Sequence, residues 1–374
     1  MIFDSFRRTD LAAMRSTESI FDFYNRSASP AVGRIRDLLE DALRSYPSLE
    51  RSDMAARLRA KDHFRTAEFE LLLHHFLIRC GMEVHVHPEL GNGSARRPDF
   101  LVRCSDGQEL YLEAITLDPH DPARLRDPSL RLLMQGLQDV RDENFSVLVQ
   151  ATGRATSTPS ASKFVRQVQQ WLSGLSPTSP AMASVSKEWQ MSGLFMTVTA
   201  LPTGPGRQPP DRSLLAGFYC QAVMDDVAET LRGKLQMKAS RYGKLELPFV
   251  VALNCQNPFL RSFDALVALF GEDVSSPSYR LDMSSKGNGL WSAGQYSRLS
   301  AAWIFSNFKT VGFINSSRNL HLNPSATHPV PSAMLGFSHS HFDAAGCWKT
   351  QADKLDLAEL FGLPEDWPGP LASP

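Results

Sequence analysis

The sequence predicts an α/β protein, and three observations carry that prediction. A strongly apolar helical segment, "FRTAEFELLLHHFLIRC" (64–80), ends at Gly81, a residue suited to the position just past a helix end. Three short strand patterns follow at once: "MEVHVHPEL", "DFLVRC" and "ELYLEAITL", broken apart by "GNGS" and "SDG". More than a hundred residues later a helix runs into "LELPFVVALN", a continuous apolar run that reads as a strand buried on both faces.

Taken in order, residues 8 to 60 read as helical, with apolar positions at mixed 3 and 4 spacing in "AVGRIRDLLEDALRSY". After the three strands the character changes. "DPHDPARLRDPSLR" is rich in proline and charge and reads as a loop. "FSVLVQAT" (145–152) and "GLFMTVTAL" (193–201) read as strands, with a helix near "SKFVRQVQQWLSGL" and a Ser/Pro-rich loop, "SPTSPAMAS", between them. "PTGPGRQPPDRS" is a second loop, and a long helix is expected over 214 to 241 before the buried strand. "SFDALVALFG" reads as a short helix stopped by Gly271. From 273 onward the chain is rich in Ser, Asn and Pro, and only short strands are expected.

Composition narrows the class. The chain has 374 residues, 43% hydrophobic and 21% charged, enough for a sizeable core. Its formal net charge of −1 gives no global basic field, although a local basic groove needs none. Five scattered cysteines without CxxC spacing indicate neither a disulfide framework nor a zinc knuckle. They fit a reducing, cytoplasmic setting. The first residues contain no apolar signal segment, and no run of about 18 apolar residues exists. No membrane partner is expected.

The chemistry concentrates between residues 64 and 117. Glu68 and Glu70 lie on the strong helix. Glu70 falls at the edge of its apolar stripe, with His74 one turn on along the same face. Asp99 opens the second strand, and Glu113 interrupts the third. Because strand side chains alternate, Tyr111, Glu113 and Ile115 share one face. If the strands pair through "SDG", Asp99 and Glu113 converge at one end of the sheet. Two converging carboxylates repel unless compensated, and a hard divalent cation such as Mg²⁺ or Mn²⁺ compensates them. The plainer reading pairs Glu113 with an arginine, such as Arg97 or Arg103, and leaves Asp99 to cap a turn.

A helix with Glu, a glycine, a strand, Pro98-Asp99, and a strand with Glu113-Ala114-Ile115 resembles the PD-(D/E)XK nuclease superfamily. The resemblance covers about 55 residues. It implies a restriction-endonuclease-like αβββαβ core, with N-terminal helices over 1–60, core segments 61–118 and 218–272, an insertion over 119–217 and a C-terminal extension over 273–374. It also implies Asp99 and Glu113 as metal ligands, Glu70 as the supporting helix carboxylate, Mg²⁺ or Mn²⁺ as cofactor, and nucleic acid, most plausibly DNA, as substrate. A homodimer is compatible with it.

The departure is Ile115, where the family pattern has lysine. In that superfamily the lysine can move to a neighbouring helix. "GKLQMKASRYGKL" offers Lys234, Lys238 and Tyr242 at i, i+4 and i+8, and Lys238, nearer the following strand, is the preferred stand-in. The expectation is therefore a metal-dependent DNA endonuclease of restriction, repair or defence type, with Glu70, Asp99, Glu113 and Lys238 catalytic. The alternative is a nuclease-like binding or scaffold module that has lost catalysis. Arg96, Arg97, Arg124, Arg126 and Arg131 could hold phosphates or form a solvated rim. The pairs His85/His87 and His339/His341 read as surface or loop residues, and neither phosphate-loop spacing nor a G-x-S-x-G elbow is present.

Overall fold

The structure is a computed structural model describing residues 1–12, 14, 18–117, 128–142, 144–153, 155–176, 185–202, 214–220, 227–256, 262–275 and 287–370. The chain divides into two compact units. One comprises Met1–Asp10, Ser19–Asp118 and Val227–Leu371; the other comprises Leu11–Glu18, Pro119–Asp226 and Ala372–Pro374. Among the described residues no helix is long and apolar enough to cross a membrane.

The first unit is built on a mixed sheet of eight strands. It begins with the meander β1 (Glu83–Val86), β2 (Phe100–Arg103) and β3 (Glu109–Leu117). β1 and β2 are antiparallel, as are β2 and β3, the latter turning through "SDG" with Gly107 at φ +79°. The second unit's residues separate β3 from its parallel neighbour β8 (Phe249–Cys255), yet Glu113 lies opposite Val251 in one continuous register. β8 is buried at every position, as its unbroken apolar run requires. β9 (Ala301–Ser306) follows in parallel, and β10 (Ser317–Leu322), β11 (His339–Phe342) and β12 (Trp348–Gln351) complete the sheet. Residues past 273 thus supply half of its strands.

Each face of this sheet has its own core. On one face lie α1 (Ile20–Arg26), α2 (Pro30–Ser45), α3 (Arg51–Arg59) and the strong helix α4 (Phe64–Arg79), packed on Leu110, Leu112 and Ala114 of β3 and on Trp303 and Phe305 of β9. On the other lie α7 (Val227–Ala239) and α8 (Ser262–Phe270), packed on Ile115, Val251, Leu253 and Ile304. The strand order β3, β8, β9 advances in one direction. Right-handed crossovers along it put both connecting helices on the same side. A short helix, α9 (Leu357–Phe361), has Asp356 at its N-cap, accepting from the Ala358 and Glu359 amides.

The second unit holds a four-stranded sheet of order β5-β6-β4-β7, with β4 (Phe145–Gly153), β5 (Val185–Met191), β6 (Leu194–Pro202) and β7 (Leu215–Cys220). It shares a core with α5 (Pro128–Gln138) and α6 (Ala161–Leu172). This corrects the expected helix over 214–241. Its first part, "LAGFYC", is β7, paired in parallel with β4, and the helix described in the later part, α7, spans Val227–Ala239. Gly217 weakens a helix there, and Phe218 and Tyr219 favour a pleated surface.

Candidate active site

β2 pairs with β3 only as far as Phe100 opposite Leu112. One step further the register sets Asp99 against Glu113. There β3 continues with β8 alone, and its edge on the β2 side opens. The Ala114 amide on that edge has no strand partner, and Asp99 supplies one: Oδ2 accepts from Ala114 N at 2.7 Å. The backbone of Asp99 is fixed too, its carbonyl accepting from His87 N at 2.9 Å. The turn, the end of strand pairing and the Pro-Asp step therefore bring the two carboxylates together.

Glu113 is fully buried and points to the α7 side. Its carboxylate is held by three donors from one segment. Lys238 Nζ and Arg241 Nη1 both reach Oε1, the latter at 3.1 Å, and the Tyr242 hydroxyl donates to Oε2. The placement of Lys238 follows from α7. Ala228, Leu231, Leu235 and Ala239 form its buried stripe. Lys238, in the last turn, flanks that stripe where helix-end carbonyls favour a cation. Four residues on, Tyr242 is buried against Phe249, ring centroids 5.6 Å apart. Burial and the Glu113 charge push the Tyr242 hydroxyl far above the ordinary phenol range, so it stays a donor.

Glu70, also buried, is clasped in the same way from the other face. Arg57 Nη1 donates to Oε1 at 3.0 Å, Arg57 Nη2 to Oε2, and the Tyr46 hydroxyl to Oε1 at 3.1 Å. Burial and Glu70 together push Tyr46 far up as well. Glu68, its neighbour on α4, accepts from Thr310 N at 3.1 Å, Thr310 Oγ1 at 2.7 Å and Arg65 Nη1 at 2.8 Å, and serves the packing of α4.

Asp99 lies between these two clasped glutamates. Burial first, then the Glu113 and Glu70 charges, push its carboxyl up to about 7, against the pull of the Ala114 amide and Lys238. Among the described residues no cation forms an ion pair with it. The site thus holds three carboxylates, two with their own cations and one without.

Ile115 is buried in the layer beneath α7 and α8. The ammonium group at Glu113 comes from α7, the helix that packs over this layer. Tyr46, Arg57, Arg241 and Tyr242 were not picked out as site residues from the sequence. The i+4 step from Lys238 to Tyr242 was the one signal for any of them. His74 is buried between Tyr46 and Phe100, at 4.8 and 6.0 Å, and desolvation lowers it to about 4, which makes it a neutral packing residue. Arg96 donates to the Arg241 carbonyl at 3.2 Å, and Arg97 pairs with Glu89. Arg131 falls in α5 of the other unit, and Arg124 and Arg126 lie outside the described residues.

Among the described residues no group of three or more His, Cys, Asp or Glu side chains is assembled in a way that could hold a metal ion. Comparison with models of known families, with curated proteins and with solved structures gives no match to this chain.

Proposed function

We propose that the protein is a metal-dependent phosphodiesterase with a restriction-endonuclease-like core, cutting DNA at Asp99, Glu113 and Lys238. The observation that carries this reading is the meeting of Lys238 with Glu113 beside Asp99, at the point where β2 leaves β3. An ammonium group arrives from a helix 125 residues away at a carboxylate whose own strand has isoleucine at the lysine position.

The donor set suits a hard cation. The atoms that would hold a metal are carboxylate oxygens, and Mg²⁺ typically takes one or two protein carboxylates, with waters and substrate phosphate completing its shell. A carboxylate has about four lone-pair positions. Glu113 has three donors on it and Asp99 has one, so both retain capacity. Burial first, and the Glu113 and Glu70 charges second, raise the proton affinity of Asp99, and a divalent ion would relieve the part that comes from charge. When bound, the ion supplies Lewis-acid activation of water and charge neutralisation at phosphate. Asp99 and Glu113 would hold it. Tyr242 and Arg241 fix the carboxylate plane of Glu113, and Glu70, locked by Arg57 and Tyr46, adds the field that keeps Asp99 receptive. Lys238 offers a proton donor to the oxygen on which charge builds.

A second reading has its own observation. Lys238 and Arg241 already neutralise Glu113, and Arg57 neutralises Glu70, which suits a nucleic-acid-binding module that no longer cuts. The two separate on incubation of supercoiled plasmid with the protein and Mg²⁺ or Mn²⁺. Nicking that disappears in Asp99→Ala supports the nuclease; DNA binding without nicking supports the module.

A further inference from the structure

The eight-stranded sheet carries a concave feature on the face that bears α8. A cavity of about 320 Å³ lies over β9 to β12, closed on one side by Ala265 and Leu266 of α8. That volume falls in the range of about 300–1,000 Å³ usual for small-molecule pockets. The alternation of β10 explains its lining. Ser317, Asn319 and His321 point into it, and Leu320 packs into the opposite core. A side-chain network crosses the three strands. Ser338 Oγ donates to Asn319 Oδ1 at 3.3 Å, Asn319 Nδ2 donates to Ser340 Oγ at 2.8 Å, and Ser340 Oγ meets Thr350 Oγ1 at 2.9 Å. The Asn319 amide also lies 3.2 Å from His321 Nε2.

Two properties define what fits. Among the described residues the lining carries one charged side chain, Arg318, and that guanidinium belongs to the other face, bound to Asp353 and the Leu355 carbonyl and lying over Phe76. His321 is buried, and desolvation lowers it to about 4, so it is neutral. The walls also differ. Leu266, Ile304 and the Trp348 indole are apolar, the last stacked on His321 at 5.8 Å, and the facing strip is hydroxyl, amide and imidazole. Each polar group there can both donate and accept. A flat ring with apolar faces, mixed donors and acceptors along its edge, and hydroxyls beside it matches both walls.

We propose that this cavity binds a nucleoside, with the base between Leu266, Ile304 and Trp348 and its polar edge at Asn319, His321 and Ser340. The inference does not depend on the nuclease reading, since it uses none of Asp99, Glu113 or Lys238. The shared chemistry admits a free nucleoside or a base turned out of a strand.

Titration calorimetry of the full chain with adenosine, guanosine, cytidine and thymidine, with glucose as a non-aromatic polyol, tests it. At least one nucleoside binds with a Kd of about 1 mM or tighter, and glucose does not. Asn319→Leu weakens binding about tenfold or more, because the buried edge then loses its partner. As that residue could also affect folding, Ser317→Trp serves as a second variant. Ser317 is exposed at the cavity, so the indole plugs the mouth with the circular dichroism spectrum and melting temperature kept. Displacement of the nucleoside by a short single-stranded oligonucleotide assigns the site to a base within a strand, and failure to displace assigns it to the free nucleoside. The proposal is overturned if no nucleoside binds at about 10 mM, if glucose binds as tightly, or if Ser317→Trp binds like the unaltered protein.

Discussion

Lys238 on α7 donates a hydrogen bond from its ammonium group to Glu113 on β3, across 125 residues of chain. The contact exists because β3 and β8 are parallel neighbours and α7, which precedes β8, covers the face on which Glu113 stands.

The position two residues after Glu113 should not accept the missing lysine. Ile115 is buried among Leu231, Leu253 and other apolar side chains. Ile115→Lys puts an unpaired ammonium into that layer, and we expect a stability loss of about 3 kcal/mol or more. Chemical unfolding measures it. An Ile115→Lys, Lys238→Ala double variant that is as stable as the unaltered protein and more active than Lys238→Ala would show that the lysine can sit on the strand after all.

Removing Arg57 should be costly even though the residue is outside any expected motif. Arg57 contacts both oxygens of Glu70, which is nearly inaccessible. Arg57→Ala leaves that carboxylate with Tyr46 alone, and breaking a buried pair from one side costs about 3–5 kcal/mol. Glu70→Gln in the same background should recover part of the loss, since it removes the stranded charge. A loss below about 1 kcal/mol for Arg57→Ala would place the pair in the weak class of solvent-screened surface bridges.

Much of this was legible in the sequence. The end of the strong helix at Gly81, the "SDG" turn and the alternation in "ELYLEAITL" place Asp99 just ahead of β2 and across from Glu113 on β3, because turn chemistry and period-2 patterning are local signals. The buried run "PFVVALN" joins the same sheet because no other environment suits seven successive buried residues. The clasps were not legible. Arg57 and Tyr46 reach Glu70 from helices whose packing angle is set by the whole apolar face, and Arg241 lies beyond the last turn of α7. The strand "LAGFYC" was missed because its pairing with β4 is a nonlocal fact. The polar strip over β10 and β11 reads as an unremarkable Ser/Asn/His stretch until three strands place it on one face.

The carboxyl of Asp99 predicts a pH dependence with a definite sign. Its folded value is about 7, above the ordinary 3.8. Between those values the folded chain keeps a proton that the unfolded chain releases. The Asp99 contribution to stability is therefore fully present below about pH 4, falls as pH rises to about 7, and is flat above. Asp99→Asn lacks it. Urea unfolding of both forms should show wild-type stability declining relative to Asp99→Asn across that window. A difference that does not change between pH 4.5 and 7.5 would mean Asp99 carries no such shift.

The central claim is that Asp99, Glu113 and Lys238 form one hydrolytic site, and DNA cleavage by the unaltered protein, Asp99→Ala and Lys238→Ala, each with and without Mg²⁺ or Mn²⁺, tests it most directly. The account predicts metal-dependent nicking by the unaltered protein, its loss in Asp99→Ala with the fold kept at a cost of about 1–3 kcal/mol for the Ala114 amide's lost partner, and a fall of about a hundredfold or more in Lys238→Ala, as for loss of a donor to developing charge. Cleavage that persists in Lys238→Ala, or a protein that binds DNA and never cuts it with either metal, would contradict it.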